Sequence, residues 1–130
     1  MTTINFPNSS KYSGNRPYAD VVLQSGSGNN PTHKCLVDTG ADYLQLPSSA
    51  ATSVGLGHLL ASAVATNVKI AGGGSVVMQL AHSVSVIIEG YPVTVSVLFD
   101  PSNSGPVLLG RQALLAAVEA GFNTKEWLWT

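Results

Sequence analysis

One pentapeptide of the chain has side chains and spacing suited to acid–base chemistry: Asp-Thr-Gly-Ala-Asp at 38–42. Two apolar residues lead into it from a predicted strand, so the carboxylate of Asp38 can be held in a turn against a partner group. Gly40 lets the backbone approach closely, Thr39 can brace the turn through its hydroxyl, and Ala41 leaves room for a substrate. The alternative is an ordinary Asx turn capped by Asp38, and the pentapeptide alone does not decide between the two.

A second motif lies well downstream, where the run Val-Leu-Leu-Gly-Arg at 107–111 leads directly into a predicted helix. Between the two motifs, residues 68–80 predict a hairpin with Gly72-Gly73-Gly74 at its tip. A phosphate-binding role for this triplet is weak, because neither a Lys-Ser/Thr pair nor a convincing helix follows it. As a hairpin tip, the triplet explains the strand-forming residues on both sides and would move to admit a peptide.

With these three landmarks in this order, residues 17–122 resemble the retropepsin-like aspartic proteases, and bacterial-type members in particular. This single-lobe family includes the retroviral proteases and related bacterial proteins. The resemblance implies a mostly β fold, a closed β-barrel with a flap hairpin and one C-terminal helix. It implies neither a cofactor nor a metal ion. In the family, the strand at 107–110 crosses behind the aspartate turn.

The resemblance also implies a role for each matching residue. Asp38 is the catalytic acid, and Thr39 and Gly40 form the turn that holds it. Gly110 and Arg111 give structural support, with Arg111 paired to the second acid of the pentapeptide; the alternative is a surface ion pair worth well under ~1 kcal/mol. The residues expected to contact substrate are Ala41, Asp42, Ala71, Gly72, Gly73, Gly74, Val107 and Leu108, although core packing explains the last two equally well.

The implied mechanism needs two acids. Two carboxyl groups about 3 Å apart share one proton, because like charges that close cannot both ionise. The ionised member then acts as general base toward a water, and the protonated member polarises the scissile carbonyl. Asp-Thr-Gly occurs once, and 130 residues cannot hold two lobes. The second acid is therefore expected from Asp38 of another copy, across a twofold axis.

These observations predict an aspartic endopeptidase that acts as a homodimer on a peptide or protein substrate. A first alternative is a catalytically weak or inactive peptide-binding or assembly module on the same fold. A second is a structural β domain in which Asp38 merely caps a turn. The complete pentapeptide favours the enzyme, since a binding module has no physical need for the acid.

Composition suggests that the domain buries more surface than a single hydrophobic core requires. Charged residues make up 10% of the chain, against a usual share of about a quarter, which suggests a subunit interface. The net charge of −1 gives no reason to expect nucleic acid or an anionic membrane as a partner. Cys35 is the only cysteine and is expected to be a buried, inert thiol. No apolar run nears the ~20 residues of a membrane span, so a cytoplasmic protein is predicted.

The remaining pattern predicts short strands at 18–23, 32–37, 84–88, 93–99 and 126–130. Residues 1–16 are expected to be an irregular arm, and 17–130 the protease domain. A short helix is predicted after Pro47 with Ser48 as its N-cap, and a longer one at 112–120 with Gly121 as its C-terminal cap. In retroviral members the chain ends form an intersubunit sheet. The alternating Trp127 and Trp129 are therefore predicted to be buried at the dimer interface.

Overall fold

A computed structural model describes residues 5–26, 30–70 and 72–130. The predicted hairpin-tip residue Ala71 lies outside these described residues. The elements are β1 (Asn8–Lys11), β2 (Tyr18–Leu23), β3 (His33–Asp38), β4 (Leu44–Pro47), α1 (Ser48–Thr52), α2 (His58–Ala61), β5 (Val64–Lys69), β6 (Ser75–Ile88), β7 (Tyr91–Asp100), β8 (Leu108–Gly110), α3 (Arg111–Ala117), β9 (Ala120–Phe122) and β10 (Glu126–Trp129).

The main sheet runs in the order β2-β3-β8-β4-β7-β6-β5, and β2 also pairs with β6. Six of its strands therefore form a ring, and the predicted mostly β fold is confirmed. Alternation along the strands fills the ring with apolar side chains. In β2, for example, Ala19, Val21 and Leu23 are all buried, while the residues between them are partly exposed.

The long strand β6 has three partners. Its first half pairs with β5, Gln79 onward pairs with β7, and its last three residues also pair with β2. A register shift between Ala81 and Val84 marks a bulge within the β6–β7 pairing. Ser83 within the shift has a φ of 57°, the left-handed conformation that redirects a bulged strand. The hairpin β5–β6 therefore extends the sheet beyond the ring, with Val64 and Val77 more than half exposed.

β8 lies between β3 and β4 in the ring. It pairs in parallel with β3 and in antiparallel fashion with β4. Because β8 lies between these two strands, the loop that joins β3 to β4 must pass over the end of β8, where α3 begins. This topology brings the two sequence motifs together, although about 70 residues separate them along the chain.

Several predicted boundaries are wrong. Part of the supposedly irregular arm is β1, which pairs with β10. α3 ends at Ala117, and Val118 is already extended (φ −144°, ψ 160°) with its side chain buried. Gly121 lies within β9 instead of capping a helix. Ser48 is the first residue of α1, not its N-cap, and α2 was not predicted at all.

The prediction for the two tryptophans is also wrong. Strands β1, β10 and β9 form a second, three-stranded sheet within one chain, hereafter the terminal sheet. Trp127 is 0% exposed and Trp129 7% exposed, and their rings stack with centroids 4.4 Å apart. The indole N–H of Trp127 donates to the carbonyl of Tyr18 at 3.0 Å. The chain's own strands bury both rings, so their burial needs no second subunit.

In the described part of the chain, every helix is too short or too polar to cross a lipid bilayer.

Replacing Trp127 with Ala is expected to lower the free energy of unfolding by about 3–5 kcal/mol, because a fully buried ring and its hydrogen bond are lost. Urea unfolding monitored by circular dichroism measures this loss. It should be the same at every protein concentration, since one chain provides the burial. Leu115→Ala is the control: Leu115 is 58% exposed, and the change should stay within about 0.5 kcal/mol. A Trp127→Ala cost that appears only at high protein concentration would contradict this assignment.

Candidate active site

Asp38 is the last residue of β3 and lies beside Gly110 in the parallel β3–β8 pair. Beyond it the chain turns sharply, because the amide of Ala41 donates to the carbonyl of Asp38 at 3.1 Å. The amide of Gly40 donates to Oδ1 of Asp38 at 3.0 Å. This is the Asx turn of the alternative interpretation, and it also fixes the carboxylate at the end of the strand. In the described residues, Oδ2 accepts no hydrogen bond and remains available to another group.

A side chain at Gly40 would crowd this carboxylate, since a Cβ there would lie 3.2 Å from Oδ1 of Asp38. Asp38 is half-buried, whereas Thr39 and Gly40 are exposed. The predicted catalytic residues thus lie together in one surface turn, with the acid partly shielded by the ring and its neighbours open to solvent.

The aspartate loop (residues 38–43) is bound directly to the start of α3. The amides of residues 110, 111 and 112 donate to the carbonyls of Tyr43, Ala41 and Asp42, at 3.1, 2.8 and 3.0 Å respectively. The first amides of a helix have no partner inside the helix, so the loop satisfies donors that would otherwise need water. Loop and helix start therefore form one hydrogen-bonded unit.

Gly110 is required for this contact because of space. A Cβ at Gly110 would lie 2.3 Å from the carbonyl oxygen of Tyr43 and 2.6 Å from its nitrogen. The φ of Gly110 is −79°, which any residue can adopt, so the requirement is close approach of two backbones. The predicted supporting role of Gly110 thus has a physical basis in this structure.

The predicted partner of Arg111 is also found. Its guanidinium Nη2 donates to Oδ1 of Asp42 at 2.8 Å. Both side chains are more than half exposed, and such a pair contributes about 0.2–1 kcal/mol. The ion pair therefore aims the Asp42 carboxylate more than it stabilises the fold.

The remaining predicted site residues lie in two other places. Val107 and Leu108, half-buried, approach the turn along β8, and the carbonyl of Val107 accepts the Leu36 amide at 3.0 Å. The glycine triplet forms the β5–β6 tip with φ values of 88°, 98° and 82°, which explains why glycine occupies each position. In the described residues, no hydrogen bond joins this tip to the aspartate loop. Substrate contact by these residues and by Ala41 stays a prediction.

Asp100 organises the loop that leads into β8, and none of the sequence motifs above includes it. It is 6% exposed and ends β7, just before the loop that leads into β8. Its Oδ1 accepts the amide and hydroxyl of Ser102 at 2.9 and 2.7 Å, and its Oδ2 accepts the amide of Gly105 at 2.8 Å. Burial alone would raise the pKa of Asp100, but the hydrogen bonds from Ser102 and Gly105 outweigh it, and the pKa is lowered. The signal in the sequence was an acid followed by Ser at +2 and Gly at +5.

Cys35 is buried among core residues, as predicted. Desolvation, with a smaller contribution from Asp20, raises the pKa of its thiol to about 12. The thiol is therefore protonated near neutral pH. Its expected burial is confirmed, and its inertness stays a prediction. Across the described residues, no group of three His, Cys, Asp or Glu side chains has the arrangement of a metal site.

Replacing Gly110 with Ala should displace the aspartate loop, since its methyl group would overlap the backbone of Tyr43. We expect a loss of about 3 kcal/mol or more in the free energy of unfolding, in line with overpacking at a rigid contact. Gly57→Ala is the matched control, because a Cβ at Gly57 meets only a methyl at 3.8 Å and its φ of −56° is helical. Thermal melts of both variants test this, and equal stability of the two would contradict the close contact.

The lowered pKa of Asp100 fixes the sign of a pH effect. The group stabilises the fold above its unfolded pKa of about 3.9, and this contribution is lost as the pH falls through the lower pKa of the folded state. Asp100→Asn should lower the free energy of unfolding by about 2 kcal/mol at neutral pH, because the donors of Ser102 and Gly105 lose their charged acceptor. Denaturant unfolding at several pH values should show that the difference in free energy of unfolding between wild type and Asp100→Asn becomes smaller below about pH 4. A gap that widens in acid would contradict the assignment.

One comparison with known protein families bears on this geometry. A family model described as "gag-polyprotein putative aspartyl protease" matches residues 25–115. The match contains the aspartate loop, the hairpin β5–β6, β8 and most of α3. No curated protein matches the chain. Because the model covers well over half of the 130 residues, and the matched segment includes the loop and helix start described above, the chain belongs to this family of aspartyl proteases.

Proposed function

We propose that the protein is an aspartic endopeptidase that acts as a homodimer, with Asp38 of each subunit forming the catalytic pair. The observation that carries this proposal is how the Asp38 carboxylate is hydrogen-bonded. One oxygen is held by the Gly40 amide, and the loop around it is bound to α3 through three backbone hydrogen bonds. The acid is thus fixed in place while its other oxygen remains available for a shared proton.

The second acid of the pair cannot be the other acid of the loop. The carboxylate of Asp42 is bound to Arg111, and it lies four residues beyond Asp38, past the sharp turn at Ala41. A second copy of the chain supplies an identical, identically held carboxylate through a twofold axis. This supports the homodimer in preference to a monomeric enzyme.

In the proposed reaction, the two carboxyls hold one proton and one water between them. The ionised Asp38 takes a proton from the water as its oxygen attacks the scissile carbonyl carbon, and the protonated Asp38 of the partner gives its proton to the carbonyl oxygen. One hydroxyl of the resulting diol then gives its proton to the partner's Asp38, which is now ionised, while the proton that Asp38 took from the water passes to the amide nitrogen. The C–N bond breaks and leaves a free acid and a free amine.

The substrate in this proposal is an extended peptide. It would lie across the aspartate loop with the hairpin β5–β6 as a flap over the closed barrel. Three consecutive glycines with positive φ give the tip the backbone freedom that a closing flap needs. Asp42 would accept a backbone amide of the peptide, and Val107 and Leu108 would line its side-chain subsites. Membership of a bacterial-type subclass stays a prediction.

Asp38→Asn is expected to abolish peptide cleavage, with a loss of at least about 100-fold, because the general base is removed. Asp20→Asn is the matched control, since Asp20 pairs with Lys34 on β2 and β3 and should leave cleavage unchanged. Mass spectrometry of a mixed peptide library between about pH 4 and 7 measures both. Cleavage by Asp38→Asn at the wild-type rate would exclude the mechanism. No cleavage by a verified wild-type dimer would favour the peptide-binding module.

Sharing of the site between subunits gives a second readout of the same proposal. The cleavage rate per subunit should rise with protein concentration, because only the dimer holds both acids. Excess Asp38→Asn chain should lower the activity of a fixed amount of wild type by forming mixed dimers with one acid. A rate per subunit that ignores both concentration and added variant would show that a single chain is active.

A further inference from the structure

Among the described residues, the terminal sheet ends in β1 on one side and β9 on the other, and these two free edges differ in chemical character. β1 at one edge carries only polar side chains and ends in Lys11. β9 at the other edge reads Ala-Gly-Phe, with no charge and with Phe122 46% exposed. Exposed edge strands are usually protected against pairing by charged residues, Lys above all, or by proline. β1 has such protection and β9 does not.

The hydrogen bonds of the sheet show which backbone groups β9 presents outward. The amide of Thr130 donates to the carbonyl of Glu119, and the amide of Asn123 donates to that of Glu126. In an antiparallel pair, hydrogen-bonded positions alternate with non-bonded ones. Residues 119, 121 and 123 therefore face β10, and Ala120 and Phe122 direct their N–H and C=O groups to the free edge.

We propose that β9 pairs with β9 of a second copy in antiparallel register, with Gly121 on the twofold axis; this rests on the proposed homodimeric function. Ala120 of one subunit then faces Phe122 of the partner subunit, and each such pair exchanges both N–H···O=C bonds. The two terminal sheets become one continuous sheet in the order β1-β10-β9-β9-β10-β1. The interface is isologous, as a twofold axis requires.

The side chains fit this register. Opposite positions place the exposed ring of Phe122 over the small methyl of Ala120 in the partner subunit, and the reverse by symmetry. The other face of Gly121 is already covered, because the ring of Phe6 lies 3.1 Å from where a Cβ would be. Glu119 would face Asn123 of the partner subunit, not its own copy, so the pairing brings no like charges together.

The position of β9 connects this edge to the catalytic loop. β9 begins just after α3, and the start of α3 is hydrogen-bonded to the aspartate loop. α3 is seven residues long, or about 10 Å. In each subunit, residues 118–121, α3 and its hydrogen bonds to the aspartate loop therefore connect the twofold axis to the loop of Asp38. The edge pairing would therefore determine how the partner's Asp38 is presented, and the site is incomplete without it.

Two proline variants on the same sheet test the edge. Ala120→Pro removes an outward N–H that pairs with no other strand in the described part of the chain, and proline is tolerated at such edge positions. Ser9→Pro does the same on β1, because Ser9 is opposite Leu128 at a position that alternates with the bonded Tyr12–Lys125 pair. Ala120→Pro should raise the dimer dissociation constant at least about tenfold, and Ser9→Pro should leave it unchanged. Sedimentation velocity over a concentration series measures both.

Equal dimerisation of the two proline variants, whether both strong or both weak, would overturn the proposal. Circular dichroism melts at low concentration confirm that each variant folds. A second measurement does not depend on proline. Residues facing each other in a bonded pair have Cα atoms about 5.5 Å apart, within disulfide range.

The double variant Ala120→Cys/Phe122→Cys should therefore form a covalent dimer on mild oxidation, and each single variant should not. The native Cys35 is buried with a pKa of about 12 and stays out of the reaction. Absence of crosslinking in the double variant, or equal crosslinking by the singles, would overturn this register.

The outcomes separate this inference from the proposed function. Ala120→Pro that remains dimeric and cleaves peptides, while Asp38→Asn does not cleave, overturns the β9 pairing alone. A wild type that is dimeric and crosslinks through β9 in the double variant, but cleaves nothing, overturns the proposed function alone. Monomeric Ala120→Pro that regains cleavage at high concentration supports both.

Discussion

The structure of this site depends on one backbone contact, between the start of α3 and the carbonyls of the aspartate loop. Three amides at 110–112 donate to three loop carbonyls, and each would cost about 1–3 kcal/mol if it were buried without an acceptor. The exposed Arg111–Asp42 pair contributes less than about 1 kcal/mol. Backbone hydrogen bonds, not the visible ion pair, therefore hold the acid in place. Gly110 makes the contact possible, because no side chain fits between the two segments.

That contact exists because β8 lies between β3 and β4. One neighbour is parallel and the other antiparallel, so the loop joining those neighbours has to pass over the end of β8. The approach into β8 is fixed from the other side by the Asp100 turn, and Gln45 on β4 donates from Nε2 to the carbonyl of Pro106 at 3.0 Å. The Gly40 amide holds the Asp38 carboxylate directly, and these more distant groups position the loop that carries both residues. A local change at Gly110 or Asp100 would act on the site through this frame.

The parts of the fold that the sequence predicted are those determined by short-range chemistry. Runs of strand-forming residues predicted β2, β3, β7 and both halves of β6, but not β4. The pentapeptide and the 107–111 run predicted two segments that the structure brings together. The parts it did not predict depend on distant pairings. Val118 continues a helical pattern locally, yet it is extended because its side chain enters the core and β9 pairs with β10. The two tryptophans signalled a need for burial, but a sequence cannot say whether the same chain or another provides it.

The burial of the tryptophans changes how assembly is to be understood. The resemblance to retroviral members predicted that the chain ends of two subunits would form the sheet between them. Here β10 is flanked on both sides by strands of its own chain, and its large side chains are covered before any partner arrives. A three-residue edge buries much less than the ~800 Å² per partner of a standard interface. In the proposed mechanism, each subunit therefore folds before it dimerises and becomes active only in the dimer. Protein concentration then controls activity.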